Sequence, residues 1–153
     1  MYGNGNGIDR YKRTQVTTSD PLRLVMMCYE GAISNLEIAR VKFASKEYEA
    51  KAKAIQKVQD ILSLLMQSLD FEKGGAIANN LNSLYTYMAR RITEGDLQKD
   101  VQAFDEVTAM LKELESGWEK IGSAPRQDHA PVFDPVRNSA EGETKRAKIA
   151  GAY

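Results

Sequence analysis

Between Leu97 and Ile121, apolar side chains return at steps of four, three, three, four, three, four and three: Leu97, Val101, Phe104, Val107, Leu111, Leu114, Trp118 and Ile121. At about 100° per residue this rhythm paints one stripe along a helix and is incompatible with a strand, whose faces alternate at every residue. A helix with one apolar stripe must bury it against another element. Three earlier segments supply the partners.

The first runs from Pro21, a residue favoured at the first helical position, with Ser19 or Asp20 placed to cap the free amides. Leu22, Val25, Met26, Tyr29, Ala32, Ile33, Leu36 and Phe43 form its main stripe, while Leu24, Met27 and Ile38 fall with Gly31 on roughly the opposite side. The second runs from about Ser45 to Leu69 on Tyr48, Ile55, Val58, Leu62, Leu65, Met66 and Leu69. Ala50, Ala54, Ile61 and Leu64 widen its apolar arc beyond what one neighbour covers. The segment Asp70 to Gly75 reads as a turn, and a third helix follows from about Ala76 to Thr93, with Glu94-Gly95-Asp96 ending it before a fourth over 97–121. On the third helix Tyr85 joins Ile77, Leu81, Leu84, Met88 and Ile92, whereas Tyr87 points away beside Ser83 and Arg91. The first tyrosine is a core residue and the second faces solvent or a partner.

Four helices joined by connections of a few residues run antiparallel to their sequence neighbours. The expected fold is therefore all-α, an antiparallel up-and-down four-helix bundle over 21–122. Residues 1–20, with Gly3, Gly5 and Gly7 among asparagines, read as a mobile arm. A phosphate-loop reading of those glycines fails, because no strand precedes them and no Gly-Lys-Ser/Thr follows. From Gly122 onward the periodicity stops, and Pro125, Pro131, Pro135 and mixed charge make 123–153 read as a disordered tail.

Lys plus Arg equals Asp plus Glu at 21 each, so the excess positive charge that drives nucleic-acid binding is missing. No apolar run is long enough to span a bilayer, and the start Met1-Tyr2-Gly3-Asn4-Gly5 lacks the parts of a secretory signal, so a cytoplasmic protein is expected. One cysteine, Cys28, and one histidine, His129, leave no internal disulfide, no metal cluster and no activated nucleophile. Carboxylates such as Glu47, Glu49, Asp105, Glu106, Glu113 and Glu115 fall among lysines on polar faces. No catalytic residue, cofactor or metal is expected, and the surplus apolar faces point to a binding module. The competing account is a self-associating helical regulatory or assembly protein that covers those faces with its own arm or a second copy.

Several separated motifs occur in a telling order: Met1-Tyr2 with Ile8 and Tyr11; Gln15-Val16-Thr17-Thr18-Ser19-Asp20-Pro21; Leu24-Val25-Met26-Met27-Cys28-Tyr29-Glu30-Gly31-Ala32; Lys57-Val58-Gln59-Asp60-Ile61; and Leu69-Asp70-Phe71-Glu72-Lys73-Gly74-Gly75. The last leads into Asn79-Asn80-Leu81-Asn82-Ser83-Leu84-Tyr85, and Glu106-Val107 with Leu111 to Trp118 completes the series. Over residues 1–121 this pattern resembles the FliS family of flagellar export chaperones. It departs in carrying Ser19-Asp20-Pro21 where Ala-Ser-Pro is usual, Glu30-Gly31-Ala32 for Asp-Gly-Ala, Ala76 for an acidic residue and Cys28 for an aliphatic one. The tail also exceeds what the family pattern needs.

The resemblance implies a helical bundle that holds the C-terminal segment of flagellin in apolar grooves, blocks its premature polymerisation and hands it to type III secretion. The flagellar export gate or a co-chaperone would be further partners, and the protein itself would be a monomer or weak dimer. Carried over by position, Ile8, Tyr11, Gln15 and Val16 of the arm match places the family uses for flagellin. Helical phase adds Leu24, Met27, Ile38, Ile61, Leu64, Tyr87 and Arg91 as groove candidates.

Overall fold

The computed structural model describes residues 20–123. Four helices fill that range: α1 (Pro21–Ala44), α2 (Tyr48–Gln67), α3 (Phe71–Gln98) and α4 (Val101–Ser123). The proposed arm and tail, with Ile8, Tyr11, Gln15, Val16 and His129, lie outside the described residues.

Each helix starts or stops for an identifiable local reason. Asp20 caps α1, its carboxylate accepting the Arg23 amide at 3.3 Å, and Pro21 follows as the residue whose missing N–H costs nothing there. Asp70, buried, caps α3 by accepting the Lys73 amide at 3.1 Å. Lys46 and Lys99, both in the left-handed region, turn the chain after α1 and α3, and Asp100 accepts the Gln102 amide at 3.0 Å as α4 begins.

With turns this short, successive helices are antiparallel, and cross-links confirm the order. Arg40 meets Asp105 while Tyr29 meets Trp118, so α1 and α4 run in opposite senses; Lys51 meets Asp96 while Gln59 meets Ala89, so α2 and α3 do too. The helices close a ring in the order α1, α2, α3, α4, each packed on two neighbours. An up-and-down four-helix bundle is the result.

Its core holds Val25, Tyr29, Ala32 and Leu36 from α1, Val58, Leu62 and Leu65 from α2, Leu81, Tyr85, Met88 and Ile92 from α3, and Phe104, Val107 and Leu111 from α4. Across its centre the Tyr29 and Tyr85 hydroxyls meet at 2.7 Å, and the Trp118 indole N–H donates to the Tyr29 hydroxyl at 2.9 Å. Three helices thus share one buried polar junction whose groups satisfy one another. Burial pushes the Tyr29 phenol up to about 12 and that of Tyr85 further in the same direction. Cys28 is a buried free thiol, raised to about 12 by desolvation, and behaves as a small hydrophobe.

The structure corrects the sequence reading in four places. Residues 71–74 are already helical, and the break comes at Gly75, at φ 50° and ψ −125°, where α3 kinks between two helical pieces. Glu94-Gly95-Asp96 does not end α3, which continues to Gln98; Gly95 is there because a Cβ would sit 2.5 Å from the Ala103 Cβ and 2.9 Å from the Asp100 carbonyl oxygen. Leu97 therefore closes α3, 78 % exposed, instead of opening the core stripe of α4. Tyr48, Ile77 and Ile121, assigned to core stripes, stand exposed near helix ends, Tyr48 with its ring edge-on to Phe43 at 6.0 Å between centroids.

Candidate functional site

Leu24 and Ile61, two residues assigned to an uncovered face, are buried in the core. A helix in a four-membered ring touches the centre and two flanking helices, so an apolar arc wider than one neighbour needs is filled from within. The open surface begins one helical step further out. Met27, three residues beyond Leu24, and Leu64, three beyond Ile61, are half-buried at the rim of the core. The turn after Ala44 sets an antiparallel register in which these two lie level across the α1–α2 seam. Ile38, three turns along α1 from Met27, continues the row in the open, with Gly31 between them leaving the helix flank low. Met27, Leu64 and Ile38 thus form an apolar edge along one seam.

Tyr87 and Arg91 have other engagements. The Tyr87 hydroxyl donates to one carboxylate oxygen of Glu106, and Arg91 Nε donates to the other at 2.8 Å while its guanidinium reaches Asp100 at 3.6 Å. This clasp pins the middle of α3 to α4. Its hydrogen bonds hold the Glu106 carboxyl below its ordinary range, first through Tyr87 and then through Arg91, and raise the Tyr87 phenol in return. Sequence phase located the pair on the outer face but could not see its partner, because nothing local marks Glu106 as opposite.

The α3–α4 seam holds a second apolar surface that the sequence reading missed. Gly95 lets the helices touch at Ala103, yet Ile77, five turns back along the same stripe of α3, and Ile121, five turns on along the same stripe of α4, are 57 % and 40 % exposed. Both stand open beside Leu84, Met110 and Leu114, which are half-buried against the core, and nothing lies within 4 Å of where a Cβ on Gly117 would sit. The identical phase of residues 77, 95, 103 and 121 was legible; the exposure of Ile77 and Ile121 was not.

Between α1 and α4 lies an open cleft of about 470 Å³, lined by Leu36, Glu37, Arg40, Asp105, Thr108 and Lys112. The Arg40–Asp105 pair bridges it at 3.1 Å, and its charged lining suits water better than an apolar helix. Among the described residues no group of three or more His, Cys, Asp or Glu side chains is arranged to hold a metal ion. No helix among them is long and apolar enough to cross a membrane.

Apolar side chains thus stand open along the outside of a small bundle whose core is otherwise packed. The family model for the flagellar protein FliS matches residues 4–125. The chain belongs to the FliS family. It is 36 % identical over 126 residues to the flagellar secretion chaperone FliS of Salmonella typhimurium, covering 79 % of this chain and 93 % of that one. The flagellar secretion chaperone FliSB of Pseudomonas aeruginosa is 36 % identical over 107 residues, with 70 % and 85 % covered. FliS of Bacillus subtilis retains 23 % identity over 123 residues, 80 % of this chain and 91 % of its own. Family membership carries a coarse role, a chaperone of flagellar secretion, and the four-helix fold accords with it.

Proposed function

We propose that this FliS-family protein is a cytoplasmic chaperone for flagellin, taking the disordered C-terminal segment of its client as short amphipathic helices laid along apolar seams. The observation that carries the reading is the row of Met27, Leu64 and Ile38 at the α1–α2 seam, apolar yet incompletely covered, on a chain whose family is that of the secretion chaperones. A client helix with apolar residues at steps of three and four matches such a row, which is helix-in-groove recognition. Leu24 and Ile61 act beneath it as the floor that keeps the rim residues in place. In the same proposal Ile8, Tyr11, Gln15 and Val16 of the arm contribute further contacts, and Tyr87 and Arg91 hold α3 in position through Glu106.

The energetics suit a carrier. Ordering an unfolded segment costs about 1–2 kcal/mol per residue in backbone entropy, against about 25 cal/mol for each Å² of apolar surface removed from water. A wrapped segment therefore binds specifically without becoming impossible to release at the export gate. While bound, it is withheld from filament assembly. Light scattering on mixtures with flagellin tests the reading: one chaperone per flagellin is expected, with no complex when the flagellin C-terminal segment is deleted. A tight homodimer that ignores flagellin would overturn it.

A further inference from the structure

The two sides of the α1–α2 seam differ in kind. On α1 the row is apolar at both ends, Met27 and Ile38. On α2 the stripe that carries Leu64 runs back through Lys57 to Lys53, at steps of seven and four, and so turns from apolar to basic within a few helical turns. The register that sets Met27 level with Leu64 also sets Asn35 level with Lys57 and Ile38 level with Lys53. Lys57 is half-buried and Lys53 is exposed, and among the described residues no carboxylate forms an ion pair with either. Asp60, one turn on from Lys57, accepts from Gln56 at 2.9 Å instead. Asn35 is held by its own helix, its Nδ2 donating to the Gly31 carbonyl oxygen at 2.8 Å. Because a carbonyl only accepts, that bond fixes which way the amide faces and leaves its second N–H for another acceptor.

We propose that the seam selects a client helix bearing carboxylates on the flank that faces α2 at the Ile38 end, read by Lys57 with Asn35 opposite it and by Lys53 one turn further. The inference rests on the client reading above and adds what the client must carry. A lysine at the rim of a helix seam keeps its ammonium in water while its stem lies along apolar surface. A helix laid over it removes that water. Without a negative group the bound helix would bury an unpaired charge, whereas a carboxylate at that point makes a charge-assisted bond. Selection then comes from the penalty on wrong segments as much as from attraction to the right one. Spacing turns this into a pattern. Along α1, Met27 to Asn35 spans about 12 Å and Asn35 to Ile38 about 4.5 Å, at roughly 1.5 Å per residue. A helix lying along the seam therefore places its acidic residue about seven or eight positions from the apolar one that covers Met27 and Leu64, and about three or four from the one at Ile38. These unequal steps fix register and direction together, as a single polar position does in a coiled coil.

The probe is a synthetic peptide spanning the C-terminal segment of flagellin, titrated calorimetrically into the full chain. Lys57→Glu should weaken binding about tenfold or more, and Lys57→Gln, which adds no new charge and so spares the fold, should weaken it less. Added salt should weaken the parent chain more than it weakens Lys57→Gln. In a second series each Asp or Glu of the peptide is changed singly to Lys. One of these peptides should lose affinity for the parent and regain it with Lys57→Glu. Arg90→Glu makes the same charge change on the exposed outer face of α3 and should bind as the parent does. Parent-like affinity in both Lys57 variants would overturn the proposal, as would a loss that no charge-reversed peptide restores. An equal loss in Arg90→Glu would overturn it too, since net charge and not the seam would then be responsible. All three of these results leave the client reading standing. Failure of the parent chain itself to bind the peptide would overturn that reading, and this proposal with it.

Discussion

The Tyr29 hydroxyl receives the Trp118 N–H and meets Tyr85, and this junction gives the bundle a pH response. Both phenols titrate above their ordinary value of 10.0 in the fold, Tyr29 near 12, because burial penalises the phenolate. Below pH 10 both states keep the proton and stability is unaffected. As pH rises from 10 towards 12 the unfolded chain releases protons that the folded chain retains, so unfolding is favoured. The Cys28 thiol, raised from 9.0 to about 12, adds the same sign from about pH 9. Urea unfolding followed by circular dichroism should show a falling midpoint between pH 9 and 11, and Tyr85→Phe should flatten that decline. At neutral pH the Tyr85→Phe variant should lose about 0.5–1.5 kcal/mol, the net worth of one hydrogen bond. The glycine at 95 makes a different demand. A methyl group there has no room beside Ala103 and the Asp100 carbonyl, so Gly95→Ala should destabilise by about 1–3 kcal/mol through overpacking, measured in the same assay.

Periodicity made the helices themselves legible, since four stripes at steps of three and four leave few other folds, and α1 begins at the proline and cap that its sequence announces. The third helix was misread at its end because glycine is a stop signal only where the chain must turn; at 95 it serves contact with α4, and the turn falls to Lys99. Faces were harder than elements. Leu24 and Ile61 read as surplus because a wheel shows one helix at a time, whereas three surrounding contacts fill the arc. The central stripe of α4 is sound, with Phe104, Val107 and Leu111 almost wholly enclosed. Leu111→Ala should accordingly cost about 2–5 kcal/mol, the transfer of a buried leucine plus the cavity it leaves. A loss below about 1 kcal/mol would mean that α4 is turned otherwise than described.

At the scale of the whole molecule, the fold separates two tasks: a core closed by a hydrogen-bonded junction and a clasp, and an exterior with apolar seams on opposite sides of the ring. Of the candidate contact residues, Met27, Leu64 and Ile38 share one seam; Ile77 and Ile121 on the other had looked like ordinary core because a single stripe does not say how far a neighbour covers it. If the α1–α2 seam and the arm take the client, Ile38→Ser in one variant, and Ile8→Ala with Tyr11→Ala in another, should each weaken binding while leaving helicity and melting nearly unchanged. The direct measurement is calorimetric titration of a peptide spanning the flagellin C-terminal segment into the full chain and these variants over several temperatures. The account predicts one-to-one binding with a negative heat-capacity change, as apolar burial requires, and affinity reduced about tenfold, or 1.4 kcal/mol, by each variant. Affinity that is the same for the parent chain and both variants would contradict it.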